Sequence, residues 1–100
     1  MKILQVMPRA NEKAKLKALL KSRERELRGG TTTFMRQREG RWCHKKYAGW
    51  ISWDEAQGGV LVAEVRTRGE DNEWQLLQSF IGYLDRHLSK HIESISITYR

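Results

Sequence analysis

The chain has one cysteine, one proline and no long apolar run. A single cysteine excludes an internal disulfide, so the fold is expected to need no disulfide framework and to suit a reducing compartment. No stretch approaches the roughly 20 apolar residues of a membrane helix. The opening MKILQVMPRANEK is too short and too polar to read as a signal peptide. No linker, internal repeat or low-complexity segment stands out. These absences lead to the expectation of a cytoplasmic protein with no membrane partner. They also suit a single domain over residues 1–100, whose core must be modest at that length.

What is present is a globular composition and a lopsided charge. Hydrophobic residues make up 39% of the chain, too many for disorder. The net charge of +7 is uneven: residues 1–50 carry 14 Lys/Arg and 4 Asp/Glu, and residues 51–100 carry 5 and 8. The first half is therefore +10 and the second −3. Such asymmetry fits a polyanion partner, and equally a soluble protein with a well-charged surface.

Periodicity predicts the elements. Lys2 to Met7 reads as a strand stopped by Pro8. Asn11 is a candidate N-cap for a helix to about Arg28, released by Gly29-Gly30. Its apolar stripe of Leu16, Leu19, Leu20 and Leu27 is narrow and flanked by Lys13, Lys17, Lys21 and Arg25. Thr31 to Arg38 reads as a strand, Glu39-Gly40 as a turn, and Arg41 to Trp53 as one long extended stretch bulged at Ala48-Gly49. Trp50 and Trp53 are expected in the core. A Gly58-Gly59 turn leads into the clearest strand, Val60 to Thr67. A second helix, capped by Asp71 or Asn72, carries Trp74, Leu77, Ile81, Leu84 and Leu88 as its stripe, widened by Leu76, Phe80 and Tyr83. Ile95, Ile97 and Tyr99 close the chain as a strand. The predicted order is β-α-β-β-β-α-β, an α+β fold with a mainly antiparallel sheet and two helices packed on one face.

Four constellations carry possible chemistry. Cys43 and His44 are adjacent on a predicted strand, so they point to opposite faces and do not serve each other as nucleophile and base. His87 and His91 stand four apart on the second helix and would need Cys43 or His44 to complete a tetrahedral site. No CxxC accompanies them, so no metal and no cofactor is assigned. The ribbon RQREGRWCHKK is the third. Arg36, Arg38, Arg41, Lys45 and Lys46 cluster on one predicted hairpin. They are suited to phosphate, and an exposed Trp42 would stack on a base. The plainer reading is an edge hairpin charged against aggregation.

The fourth is SWDEAQGGVLVAEVRTR, residues 52–68. It resembles the Asp…Glu-x-Lys hairpin of the PD-(D/E)xK, restriction-endonuclease-like nucleases, whose common core order is α-β-β-β-α-β. That resemblance implies metal-holding roles for Asp54 and Glu64, with Arg66 at the family's lysine and Glu24 or Glu26 as a first-helix acid. The departures are Trp53 in place of the proline before the aspartate, and an arginine too basic to act as a base. A tight Gly58-Gly59 hairpin would also turn Asp54 away from Glu64. The plainer reading is a Glu64–Arg66 surface pair.

The leading expectation is thus a small, basic, non-catalytic nucleic-acid-binding protein, contacting DNA or RNA mainly at phosphate through Arg36, Arg38, Arg41, Trp42, Lys45 and Lys46. A double-stranded RNA-binding domain fits poorly, because the second helix opens with GEDNE rather than with lysines. The alternatives are a protein-interaction module or homodimer with no nucleic acid, and a metal-dependent nuclease using Asp54, Glu64 and Arg66.

Overall fold

The structure is a computed structural model that describes residues 1–29, 33–67 and 72–100. Six strands form one sheet: β1 (Lys2–Pro8), β2 (Phe34–Arg38), β3 (Arg41–His44), β4 (Trp50–Glu55), β5 (Leu61–Arg66) and β6 (Ile92–Tyr99). Their order across the sheet is β2-β3-β4-β5-β1-β6, and every neighbouring pair is antiparallel. Helix α1 (Leu16–Arg23) follows β1, and α2 (Glu73–Leu88) joins β5 to β6. The α+β class and the packing of two helices on an antiparallel sheet are as the sequence predicts.

The core lies on the helix side of the sheet. Leu4 and Val6 of β1, Trp42 of β3, Ile51 and Trp53 of β4, and Leu61, Ala63 and Val65 of β5 point into it. Leu16 and Leu20 of α1 and Leu76, Leu77, Phe80, Tyr83, Leu84 and Leu88 of α2 close it from above. A fully buried leucine of this kind contributes about 2 kcal/mol. Leu77, Leu84 and Leu88 of the predicted α2 stripe are buried, as are Leu76, Phe80 and Tyr83; only Trp74 and Ile81 depart from it. Trp74 stays 43% exposed and Ile81 only packs against the core's margin.

Three local departures have physical causes. First, α1 starts at Leu16, not after Asn11. Asn11 takes a left-handed conformation (φ 64°) in a turn closed by Glu12 N–H donating to Arg9 O at 3.2 Å. Lys15 stands at the N-cap without a side-chain capping bond. Second, the stretch 41–53 divides into two strands. Residues 45–49 turn between them, and Gly49 (φ 111°) lies so close to β5 that a Cβ would meet Arg66 O at 2.3 Å. Only glycine suits that backbone. Third, the β4–β5 connection is longer than a Gly-Gly turn. Glu55 pairs with Leu61, and Ala56 N–H donates to Val60 O at 2.7 Å around Gly58 and Gly59.

β6 begins earlier than its alternating Ile95–Tyr99 pattern suggests, at Ile92. Asn72 occupies the N-cap position of α2, without a side-chain cap bond. Gly30, the first residues of the expected 31–38 strand and the expected cap Asp71 lie outside the described residues. No helix among those residues is long and apolar enough to cross a membrane.

Candidate nucleic-acid interface

The basic ribbon maps onto β2, β3 and the turn after them, at one edge of the sheet. Pairing of Phe34 with His44, Met35 with Cys43 and Arg36 with Trp42 fixes which residues share a face. Phe34, Arg36, Trp42 and His44 point to the helix side. Met35, Gln37, Arg41 and Cys43 point to the open side, which neither α1 nor α2 covers. The ribbon is therefore two surfaces rather than one wall.

Trp42 corrects the expectation most clearly. It is fully buried, so it offers no face to a base. Its ring meets Tyr83 at 5.2 Å, Trp53 at 5.9 Å and Phe80 at 6.0 Å, all near edge-to-face. Its indole N–H donates to the Glu24 carboxylate at 3.1 Å. That carboxylate also accepts from Gly40 N–H at 3.0 Å and from Arg36 Nε–H at 2.9 Å. Glu24 is the one buried charged side chain of the described residues, and it binds the end of α1 to the β2–β3 hairpin. Arg36 is thus already matched by a carboxylate at short range, which removes it from the set of uncompensated cations.

The other cations face outward. Arg38, at the end of β2, is exposed, with no carboxylate partner among the described residues. Arg41 is half-buried on the open face. Its guanidinium carbon sits 4.1 Å from the centroid of the Trp50 ring, and its Nε has no hydrogen-bond partner. Gln37, Ala48, Gly49 and Trp50 line a shallow pocket with it. Lys45 N–H donates to Thr33 O at 2.9 Å, which ties the turn to the chain before β2. The exposed Lys46 lies 5.5 Å from the Tyr47 ring, and its backbone N–H donates to His44 Nδ1 at 2.9 Å. Burial, with Lys46 adding to it, holds the His44 pKa below its ordinary value. The neutral ring is the form that can accept at Nδ1.

Trp50 is the residue that reading the sequence misplaces. It was expected in the core, yet it pairs with Arg66 on the open face and is only half-buried. The signal was the glycine at 49. Once residues 45–49 form a turn, the alternation of β4 starts at Trp50, and Ile51 and Trp53 take the inward positions. Trp50 therefore stands between Arg41 on β3 and Arg66 on β5.

The carboxylate hairpin also differs from expectation. The longer β4–β5 connection pairs Asp54 with Val62 and Ser52 with Glu64. By parity, Asp54 and Glu64 fall on the open side of the ladder as diagonal neighbours, roughly 7 Å apart between Cα atoms, with the Asp54 carboxylate held by Lys17 of α1. A one-residue change of register is enough to turn a side chain to the other face. Each carboxylate has a cation: Asp54 takes Lys17 Nζ at 2.7 Å, and Glu64 takes Arg66 Nε at 3.3 Å. The Lys17 ammonium holds the Asp54 carboxyl below its ordinary value.

Cys43 and His44 occupy opposite faces, as adjacency on a strand requires. His87 lies against Tyr83 with ring centroids 4.4 Å apart and planes tilted by 49°, and His91 Nδ1 lies 3.0 Å from Glu12. Among the described residues no three His, Cys, Asp or Glu side chains group as a metal site. No protein-family model, curated protein or solved structure matches this chain.

Proposed function

We propose that the protein binds nucleic acid without transforming it, using the β2–β3 edge and the adjoining open face of the sheet. The observation that carries this reading is the placement of uncompensated cations. Arg38, Arg41 and Lys46 have no carboxylate partner among the described residues and gather at one end of the sheet. Phosphate oxygens complement such groups, and affinity then comes mainly from released counterions. Trp50 supports a further contact, since a partly exposed indole beside two arginines suits stacking on an unpaired base. Contacts of this kind position a strand without reading its sequence, so specificity is poor.

Titration of labelled single- and double-stranded DNA and RNA between about 50 and 200 mM salt tests the reading. Affinity should fall steeply with salt. In Arg38→Ala/Arg41→Ala/Lys46→Ala, the log–log salt slope should drop by about 2 to 3. Absence of binding at low salt rejects the proposal. The shared face of Asp54 and Glu64 supports a second reading, a metal-dependent nuclease. Magnesium-dependent cleavage abolished by Glu64→Ala would put that reading first.

A further inference from the structure

The edge of the sheet opposite the basic ribbon has a different character. β6 runs for eight residues, IESISITY, with a neighbour on one side only. Glu93 is its single charge, and neither proline nor lysine interrupts it. Natural edges usually carry such interruptions against pairing. Arg100 N–H donates to Met1 O at 3.0 Å, toward β1. Alternation along an antiparallel ladder then turns the backbone groups of Ile95, Ile97 and Tyr99 outward. Among the described residues, nothing is hydrogen-bonded to that outer row.

Beside the strand lies an open groove of about 730 Å³ between β6 and α2. Trp74, Ile81, Ile92 and Ile95 give it an apolar floor and wall, with Arg9 and Asp85 also lining it. This is where the stripe of α2 extends past the core. Apart from Arg9, the charges on this side come from a segment with no net charge. Residues 72–100 carry Arg86, Lys90 and Arg100 against Glu73, Asp85 and Glu93, so the whole +7 belongs to residues 1–71. Two copies can therefore meet on this side with less repulsion than the basic edge would impose.

We infer that β6 and the adjoining groove are the interface of a homodimer, formed by antiparallel pairing of β6 with β6 of a second copy. The occupant follows from self-complementarity. A two-fold axis normal to the sheet keeps the helix side of both copies on one side, so facing residues must have the same parity. Centring the axis on Ser96 overlaps the strands from Glu93 to Tyr99. Ile95 then faces Ile97 of the second copy, and the outward backbone groups of both are satisfied. Glu93 comes beside the Arg100 end of the second copy at both ends of the ladder. The paired isoleucines continue the apolar row under the groove, and the grooves adjoin across the axis. The competing edge, β2, is shorter and carries Arg36 and Arg38, which like-charge opposition makes a poor self-pair. The basic edges are left at the two far ends of a twelve-stranded sheet.

Sedimentation equilibrium and a single-cysteine series test this inference, whatever the basic edge binds. The wild-type chain should sediment at twice 11.8 kDa. Trp74→Glu/Tyr99→Pro, changed at two exposed positions, should sediment at 11.8 kDa with unchanged far-ultraviolet circular dichroism. On a Cys43→Ser background, Ser96→Cys should form an interchain disulfide on mild oxidation. At the axis it faces its own copy in a non-hydrogen-bonded pair, about 4.5 Å between Cα atoms, within disulfide reach. Ser94→Cys, which faces Thr98 of the second copy, should not cross-link. A wild-type chain that stays at 11.8 kDa overturns the inference and leaves the groove to a different protein. A dimer that Trp74→Glu/Tyr99→Pro leaves intact, or that Ser96→Cys fails to cross-link, overturns it as well.

Discussion

The indole N–H of Trp42 donates to the carboxylate of Glu24 at 3.1 Å, inside the core. Two residues that the sequence separates into a basic ribbon and a charged helix are thus one structural joint. Glu24 accepts from Gly40 and Arg36 as well, so a single carboxylate satisfies three donors of the β2–β3 hairpin. The hairpin that presents Arg38 and Arg41 is held in place by this joint rather than by its own short ladder.

Removing the carboxylate should therefore loosen the whole edge. Glu24→Ala strands the Trp42 and Gly40 N–H groups and leaves Arg36 unpaired, at a cost of about 3 kcal/mol. Glu24→Gln keeps one acceptor oxygen but presents an amide N–H₂ to Arg36, and should cost less. Urea denaturation followed by tryptophan fluorescence gives both values. A loss under about 0.5 kcal/mol for Glu24→Ala would show that the joint is not buried in solution.

Two glycines with positive φ should behave differently. Gly58→Ala adds a methyl to open space, so only its left-handed backbone (φ 79°) is strained, at about 1 kcal/mol. Gly49→Ala forces a Cβ to 2.3 Å from Arg66 O at φ 111°, a region that essentially only glycine adopts. Its cost should exceed that of Gly58→Ala by at least about 2 kcal/mol. It should also displace the 45–49 turn from β5. Thermal unfolding of the two variants side by side measures the difference.

Where one inward face alternates with one outward face, the sequence was enough. Leu61, Ala63 and Val65 appear as a buried row in both the pattern and the structure, and the amphipathic spacing of α2 locates that helix to within a residue or two. The site was less legible, because register decides it and register depends on turns. Reading Ala48-Gly49 as a bulge and Gly58-Gly59 as a two-residue turn misplaced Trp50 and Asp54. Trp42 was misjudged for a different reason. Flanking charge made it look exposed, while its buried partner Glu24 lies 18 positions away. No local pattern announces such a pairing.

The first turn of α2 gives the fold a sensitivity to acid. Lys2 Nζ donates to the Glu73 carboxylate, and the amino group of Met1 lies 3.2 Å from its second oxygen. The Lys2 hydrogen bond holds this carboxyl below its ordinary 4.5, against the opposing effect of burial. A carboxyl depressed on folding stabilises the native state above its unfolded pKa. That contribution is lost as pH falls below about 4.5 and through the folded value. Glu73→Gln should thus be less stable than wild type at pH 7, by up to about 1 kcal/mol after solvent screening. The two should converge under strong acid. Denaturation midpoints across pH 3 to 7 check this, and a constant gap would exclude the link.

His44 should titrate in the same sense. Burial first, and Lys46 second, hold its pKa below the ordinary 6.5. The neutral ring is therefore the form that accepts the Lys46 N–H, and stability should decline as pH falls below about 6.5. Nuclear magnetic resonance titration should place the His44 midpoint below 6.5, and His44→Gln should remove that part of the pH dependence. A midpoint at or above 6.5 would show the imidazole facing water.

Trp42 and Trp50 separate stability from binding on one short segment. Trp42 fills the centre of the core, so Trp42→Ala should cost about 3 to 5 kcal/mol, a large part of what a domain of this size holds in reserve. Trp50 lies on the open face under Arg41, and Trp50→Ala should cost only about 1 to 2 kcal/mol. The folded Trp50→Ala protein should lose affinity for single strands by about tenfold, since one stacking contact contributes about 1 to 3 kcal/mol. It should keep more of its affinity for duplex, whose bases are already stacked. Equal losses on both would mean that Trp50 acts only by positioning Arg41 at phosphate. No loss on either, alongside a reduced salt slope in Arg38→Ala/Arg41→Ala/Lys46→Ala, would place all of the binding at the cationic edge.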